Sequence, residues 1–511
     1  MAPQTRHTLT DRLHPVSTTF VALLAGLAGV AGSFAVASFT PSFVAGPIAG
    51  FLARRLPGPV ITFAIVVLGD FGDQLNVLTA LALSVLLFAV ASFVGLAAGR
   101  RFDAPVSGLF AAAATAVVAV AVTGALSASL AAGVAAGVVV AVADFAATRD
   151  VLSALGPSVG GTSPGRRRVL AALASALPFV VGGYALGART RPDTATTGAP
   201  LDVGTPWAGS DVDALLAEAS EKSFAVEGLE PLVSDAFYEV DINSTDPEVD
   251  ASEWTLTVTG AVDEEVTYGY EDITSMEPEH RFVSLRCVGE ALNGKKLDNA
   301  LWTGVRIMDL VEPAGLPEGC CVMFRAADGF YEEFPLSALR DGFLAYGMNG
   351  EALPRGHGYP ARALIPGHWG EINVKWLTEI EILERPEDGY WEKRGWHGTG
   401  PVNTVAKLHV VNDLDDGRKE VAGHAYAGTR GIERVEVSTD GGETWAEATL
   451  SETLPGTDVW RQWMYQYDPP TGEHEVVVRA TDGTGQLQSS EEASPFPNGP
   501  SGWVSRTVRG R

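Results

Sequence analysis

The chain has 511 residues, 46% of them apolar, with 36 Lys and Arg against 62 Asp and Glu. That length calls for about two to four domains, because a single core rarely grows past about 250–300 residues. Three cysteines exclude a disulfide scaffold and a Cys-rich zinc module, and a net charge of −26 excludes a nucleic-acid partner, which needs clustered Lys and Arg against phosphates.

The average hides a division. Residues 1–190 hold no Glu and no Lys, six Asp and eleven Arg, a net charge of +5, so the remainder carries −31. In the first part, four apolar runs (17–39, 75–99, 106–126 and 169–186) are long enough to span. About 20 residues at about 1.5 Å rise cross roughly 30 Å of hydrocarbon. A fifth run, 130–147, is rich in Ala, Gly and Val and barely long enough. None shows the polar face of a soluble helix. With five spans, Arg6, Arg12, Arg100, Arg101, Arg149 and Arg166–Arg168 all fall on one side, which predicts that side as cytoplasmic and everything after residue 186 as external. Residues 41–72 hold four prolines, Arg54 and Arg55. Their apolar part, 59–68, is too short to cross and reads as a helix lying in the interface or re-entering. Gly165-Arg166-Arg167-Arg168 before an apolar helix resembles a twin-arginine export signal, and positive-inside anchoring accounts for it equally well. No His lies inside a span, and intramembrane acid is confined to Asp144 near a helix end. That predicts an anchor or docking platform without haem ligation or ion-path chemistry. The module is set at residues 1–189.

Residues 190–225 are rich in Thr, Asp, Gly and Ala without periodicity and read as a linker. All 11 Trp follow residue 200. Strand-like runs at 254–258, 320–325 and 374–383 place a mixed α+β domain at 226–400. Short alternating strands at 432–438 and 474–480, with turns such as Thr439-Asp440-Gly441-Gly442, place a β-sandwich at 401–511. Adjacent Cys320 and Cys321 read as structural thiols that do not bridge each other. A surface carrying −31 suits high salt, where the Debye length shrinks to about 3 Å, and predicts a halophilic protein. Unfolding followed against added salt checks this.

The chemistry centres on Ser284-Leu285-Arg286-Cys287-Val288-Gly289-Glu290. Arg286 brings positive charge beside a lone thiol, which favours the thiolate that binds metal. In order after it stand Leu301-Trp302-Thr303-Gly304-Val305, Leu344-Ala345-Tyr346-Gly347-Met348-Asn349-Gly350, His357-Gly358-Tyr359-Pro360-Ala361-Arg362, Pro366-Gly367-His368-Trp369-Gly370 and Asn373-Val374-Lys375-Trp376-Leu377.

These five motifs, from about Phe237 to the C-terminus, resemble the sulfite oxidase family of molybdenum-pterin enzymes. The resemblance implies molybdenum-molybdopterin as cofactor, Cys287 as its thiolate ligand, and His357 and Arg362 as holders of the pterin and its phosphate. It implies further cofactor contacts at Asn373, Val374, Lys375 and Asp328, and along Tyr238, Glu239, Val240, Asp241 and Ile242. It also implies that the C-terminal sandwich is immunoglobulin-like and mediates a homodimer. A soft thiolate suits a redox transition metal, and Arg362 and Lys375 supply cations for a phosphate-bearing cofactor in an acidic domain.

The departures bear on substrate. The family's sulfite-binding Arg is replaced by Val240, Glu290-Ala291-Leu292 stand where the family has Asn-Arg-Arg, and the active-site Tyr falls on Trp396. Lys295, Lys296, His368 and Arg325 are the candidates to compensate. The expectation is a membrane-anchored, outward-facing oxidoreductase that transfers an oxygen atom to or from a small-molecule substrate, with Arg286, Trp396 and His368 beside Cys287 in the catalytic set. Electrons would pass to a separate blue-copper protein, cytochrome or quinone system, since no CxxCH, no intramembrane His pair and no iron–sulfur Cys set is present. The alternatives are a sulfite dehydrogenase proper, a non-catalytic surface interaction protein with the same fold, and a transport component.

Overall fold

The computed structural model describes residues 15–99, 106–148, 164–189, 210–315 and 320–510. Arg6, Arg12, Arg100, Arg101, Arg149 and residues 190–209 lie outside them. The helices of the first half are α1 (Pro15–Ala37), α2 (Ala45–Arg55), α3 (Gly58–Phe63, continued as a π-helical turn over Ala64–Leu68), α4 (Asp70–Gly99), α5 (Ser107–Thr123), α6 (Leu126–Thr148), α7 (Pro164–Arg189) and α8 (Ser210–Lys222). The chain forms two compact units. The first comprises Met1–Leu56, Asp70–Asp193 and Asp241–Glu248; the second comprises Pro57–Gly69, Thr194–Val240 and Val249–Arg511.

In the first unit, four helices are long and apolar enough to cross a membrane: Val16–Ala37, Phe71–Gly99, Leu126–Ala147 and Pro164–Arg189. The two middle runs exchange the ranks expected from hydropathy. Gly124 takes a left-handed conformation (φ 68°) and ends α5 after 17 residues, about 26 Å at 1.5 Å per residue. α6 begins at Leu126, before its most apolar stretch, and reaches 23 residues. Small residues let the helices meet. Gly26 backs onto the Val85 carbonyl, Gly95 onto that of Phe110 and Gly32 onto that of Ala131, so that a Cβ at any of these sites would collide with backbone.

Arg168 is not a surface anchor. Its Nη2 meets Asp144 Oδ1 at 2.6 Å, and Ser107 Oγ donates to Asp144 Oδ2 at 2.6 Å. Pairing inside the bundle removes the penalty each charge would carry alone. The strap 241–248 belongs to this unit as well. Arg54 Nη1 donates to Asn243 Oδ1 at 2.7 Å, and Asn76 Nδ2 to Ser244 Oγ at 3.1 Å. Asp241 and Ile242 therefore group with the helical unit, apart from Tyr238, Glu239 and Val240.

Beyond Pro57–Gly69, the second unit continues with α8, so the latter part of the expected linker is helical, with Val212 and Ala219 buried. Its first sheet runs β2 (Val266–Gly269), β1 (Thr255–Gly260), β10 (Leu377–Leu383), β5 (Cys321–Ala326) and β6 (Tyr331–Pro335), with β1 and β10 parallel and the rest antiparallel. The second runs β3 (Glu279–Arg286), β4 (Leu297–Arg306), β7 (Phe343–Met348) and β8 (Glu351–Ala352), with β9 (Arg362–Leu364) also on β7. β3 ends at the residue before Cys287, and β9 begins at Arg362. Cys320 and Cys321 are bonded to each other, contrary to the sequence reading, at the start of β5. Cys287 is the free cysteine.

The C-terminal region is β-rich. One sheet runs β11 (Val405–Ala406), β13 (Lys419–Tyr426), β17 (Arg461–Tyr467) and β16 (Thr449–Leu450), with β12 (Val410–Asp413) also on β13. The other runs β15 (Ala446–Glu447), β14 (Ile432–Ser438), β18 (Glu473–Asp482) and β19 (Val504–Arg509). Both contribute to one core, with Val421 and Trp463 from the first and Val435, Val478 and Val504 from the second. A further core joins this region to the first: Phe282, Val288, Leu301 and Trp396 pack with Val405, Tyr426 and Trp460.

Asp458 pins that junction. Its Oδ1 accepts from the Tyr426 hydroxyl at 2.7 Å, its Oδ2 from Gly367 N–H at 2.9 Å, and its carbonyl from Ser284 N–H at 2.9 Å. Burial raises its pKa to about 7, against the hydrogen bonds that lower it. Below about pH 4 folded and unfolded chains both hold this proton, whereas between about pH 4 and 7 only the folded chain keeps it, so stability falls across that window and levels off above it. Urea midpoints of the native protein and of Asp458→Asn check this. The native advantage should be largest at about pH 4 and below, and shrink by a few kcal/mol towards pH 8.

Candidate active site

Cys287 follows the last residue of β3, and its N–H donates to the Lys296 carbonyl at 2.9 Å, closing the loop 287–296. Burial pushes its thiol up to about 11, and Lys296 is the cation that opposes this rise. Arg286, expected to activate the thiol, does something else. Its side chain is 0% exposed and stacks over Trp369, with Nε on Glu290 Oε1 at 2.9 Å and Nη1 on the Asn403 carbonyl at 2.9 Å. Its charge is spent on Glu290.

Glu290 is the hub of the loop. Lys407 Nζ reaches both of its oxygens, at 2.6 and 2.7 Å, and the Gly294 carbonyl at 2.8 Å, while Lys296 N–H donates to Oε2 at 2.9 Å. Burial lowers Lys407 to about 8. Sequence reasoning missed Lys407, because nothing local marks one lysine between β11 and β12 as buried. Glu290, acidic where the family has Asn, would repel an anion if its charge were unpaired. Two cations hold it instead.

The wall beside the thiol is apolar. A Cβ built on Gly289 would stand 2.9 Å from Ile65 Cγ2, 3.7 Å from Trp396 Cη2 and 3.9 Å from Cys287 Sγ. Trp396 is 1% exposed and meets Trp391 and Phe496 edge to face. Nearby, Glu371 is held up to about 8 by burial, with the negative charge of Glu392 adding to it. The sequence reading passed over Glu371, which stands between the motifs 366–370 and 373–377.

A second group of residues gathers around His357. Arg362 donates from Nη1 to the His357 carbonyl at 3.2 Å and from Nη2 to the Asn373 carbonyl at 3.0 Å, with its guanidinium over Trp302. Lys375 Nζ donates to the Gly356 carbonyl at 2.7 Å. Gly358 has φ 114°, and a Cβ there would press on Arg362 and Lys375 at 3.0–3.1 Å, so only glycine lets the two segments approach. Burial, then the charges of Arg362 and Lys375, push His357 down to about 3. Glu239 lies 3.7 Å from its Nε2. Phe237 packs edge-on to His357 and Trp302.

Other expected residues serve the scaffold. Asn373 Oδ1 accepts from Ile365 N–H and its Nδ2 donates to the Trp369 carbonyl. Val374 is core. Asp328 Oδ1 accepts from Phe330 N–H in the β5–β6 turn. Tyr238 N–H donates to Asp298 Oδ2, and burial, with the Cys287 charge next, raises its phenol well above the usual value. Two of the four candidate compensating cations are engaged elsewhere. Arg325 pairs with Glu381 on the outer sheet, and His368 is lowered by burial and hydrogen-bonds the Pro366 carbonyl. Val240 is 43% exposed.

An oxidoreductase molybdopterin-binding domain matches residues 243–391, and a Mo-co oxidoreductase dimerisation domain matches 402–494. These matches support a molybdopterin oxidoreductase of the sulfite oxidase family. The chain is 26% identical over 300 residues to a sulfite oxidase of Arabidopsis thaliana, covering 46% of this chain and 76% of that protein. It is 28% identical over 292 residues to the mitochondrial sulfite oxidase of Macaca fascicularis, covering 46% and 53%. A nitrate reductase [NADH] of Brassica napus is 26% identical over 287 residues, covering 44% and 31%. The match thus spans about half the length of the macaque protein and less of the Brassica one.

The residues present fit the molybdenum-pterin cofactor. Among the described residues, Arg286 Nη2 and Trp396 Nε1 are buried donors without an acceptor, both in the surroundings of the free thiol, and an oxygen-bearing anionic group would supply acceptors. Arg362, Lys375 and the glycine-lined approach at Gly358 suit a phosphate-bearing ring system. Lys407→Met should destabilise the protein by about 3–5 kcal/mol, as expected when one partner of a buried ion pair is lost. Chemical denaturation of the native and variant proteins checks it.

Proposed function

We propose that this protein is a membrane-anchored oxidoreductase whose molybdenum is held by Cys287 and whose substrate is a small oxygen-atom donor or acceptor. The single observation that carries the reading is one free, half-buried thiol beside Gly289, around which Trp396 and Ile65 also gather, with His357, Arg362 and Lys375 on neighbouring segments. The bound cofactor supplies two-electron redox chemistry and oxygen-atom transfer. The protein's own groups do the rest. Arg362 is oriented by two carbonyls before any anion arrives, so little ordering is left to complete on binding. Trp396 and Ile65 exclude water from the thiol side. Glu371 holds a proton on its carboxyl near neutral pH, available to an oxygen that becomes water or leaves it.

The substrate reading follows from charge. Sulfite is a small dianion near neutral pH and needs convergent cations in a dry pocket. Val240 offers none, Arg286 and Lys407 are taken by Glu290, and His368 is kept neutral. A neutral S- or N-oxide suits such a pocket, with the enzyme running as a reductase. Lys296, the cation acting on Cys287, favours the second reading, a sulfite dehydrogenase proper, in keeping with relatives that are sulfite oxidases.

The apolar helices support membrane anchoring, and the arginine pattern supports a catalytic domain on the external side. The dimerisation-domain match and the two-sheet architecture support an immunoglobulin-like sandwich and a homodimer. Electron exchange with a separate copper protein, cytochrome or quinone system follows from the lack of other redox motifs. The proposed modules are 1–189, 190–225, 226–400 and 401–511, with Pro57–Gly69 grouping with the second compact unit and Asp241–Glu248 with the first.

Metal analysis tests the core of the reading. The native protein from a cofactor-making host should contain close to one molybdenum per chain, and Cys287→Ser should fold normally with turnover abolished, since a hydroxyl is a harder and less acidic ligand. Retained turnover in that variant would refute the ligand assignment. Protease added outside intact cells should cut within residues 190–209 and release an acidic fragment. Cleavage in inverted vesicles alone would reverse the orientation.

A further inference from the structure

The residue beside the thiol that no motif predicts is Ile65. It stands 222 positions before Cys287, in a segment whose apolar sequence marks it as membrane-type. Pro57–Gly69 nevertheless belongs to the same compact unit as the catalytic domain. Two contacts seat it there. Gly58 backs onto Arg394, a Cβ at that position falling 3.0 Å from the Arg394 carbonyl oxygen. Ile65 packs into the cluster containing Val288 and Trp396, and a Cβ on Gly289 would stand 2.9 Å from its Cγ2. The segment turns π-helical at Ala64–Leu68, a geometry that often marks functional positions and re-aims side chains relative to an α-helix. Its neighbours Val60, Phe63 and Val67 are exposed, so Ile65 is the side chain it commits to this site.

We propose that Ile65 is a specificity-determining residue of the molybdenum site, closing the pocket between Gly289 and Trp396 and limiting access to the Cys287 side to small, uncharged substrates. The proposal rests on Cys287 being the metal ligand. A branched aliphatic group, an indole and a glycine leave no cation and little volume on that wall. Gly289 is part of the fit, because any larger residue there would displace Ile65 or crowd Trp396.

Thiol labelling tests this without turnover. With Cys320 and Cys321 bonded to each other, Cys287 is the one thiol a maleimide can take in full-length protein made without the cofactor. Ile65→Ala should speed its labelling by about tenfold and Ile65→Trp should slow it, because access limits the reaction of an enclosed thiol. Val67→Ala, at an exposed position, should change nothing. Opposite signs for the two Ile65 variants distinguish an opened pocket from a generally loosened protein. In the loaded enzyme, Ile65→Ala should shift the kcat/KM ratio of a bulky aryl sulfoxide over dimethyl sulfoxide by roughly tenfold or more, the usual scale for a few methylenes in an apolar pocket. Labelling rates within about twofold of native in both Ile65 variants, or rates that move the same way in both, would overturn the proposal. Failure of the metal reading shows separately, as native protein that takes up no molybdenum.

Discussion

The buried carboxylate of Glu290 is the constraint on which the rest of the site depends. It sits three residues beyond Cys287, takes the N–H of Lys296 at the far end of the same loop, and is held by Arg286 from β3 and Lys407 from the C-terminal region. Each of these charges loses its hydration, and in a buried pair the attraction gained often does no more than offset that loss. The triad is therefore poorly explained as a source of stability. Its effect is positional. The loop that carries the thiol has one shape in which all three charges are satisfied, and that shape requires the C-terminal sheets to be in place.

The same dependence appears in the apolar packing. Val288, next to the thiol, shares a core with Val405, Tyr426 and Trp460, and Asp458 ties the Ser284 and Gly367 backbones to Tyr426. The two β-rich parts of the second unit thus fold onto each other through the residues that flank the site. A domain carrying an excess of 31 negative charges still offers an anion a favourable place, because the field within a few ångströms of Arg362 and Lys375 is set by those groups and distant carboxylates are screened. Burial first, and then these same cations, lower the pKa of His357.

The helical unit follows different physics. Its apolar helices meet by close backbone approach at Gly26, Gly32 and Gly95, the packing that small residues allow where no polar face drives association. The Arg168–Asp144 pair belongs to that logic as an internal, neutralised lock.

Much of this was legible in the sequence because it is local. Runs of apolar residues mark helices of membrane length whatever surrounds them, and the order of motifs from Arg286-Cys287 to Lys375-Trp376 carries the catalytic domain and its cofactor. Boundaries that depend on one backbone conformation were less legible. Gly124 shortened α5, and α8 emerged from a stretch without clear periodicity because Val212 and Ala219 found a core to enter. What only the tertiary structure decided were the partners. Arg286 faces Glu290 and leaves the thiol to Lys296, Lys407 arrives from 120 residues beyond Cys287, and Ile65 comes from a segment that hydropathy assigns to the membrane. Spacing along a chain determines which residues share a strand or a turn. Which charge satisfies another, and which apolar side chain reaches a given cavity, is settled when desolvation forces every buried group to find its neighbour at once.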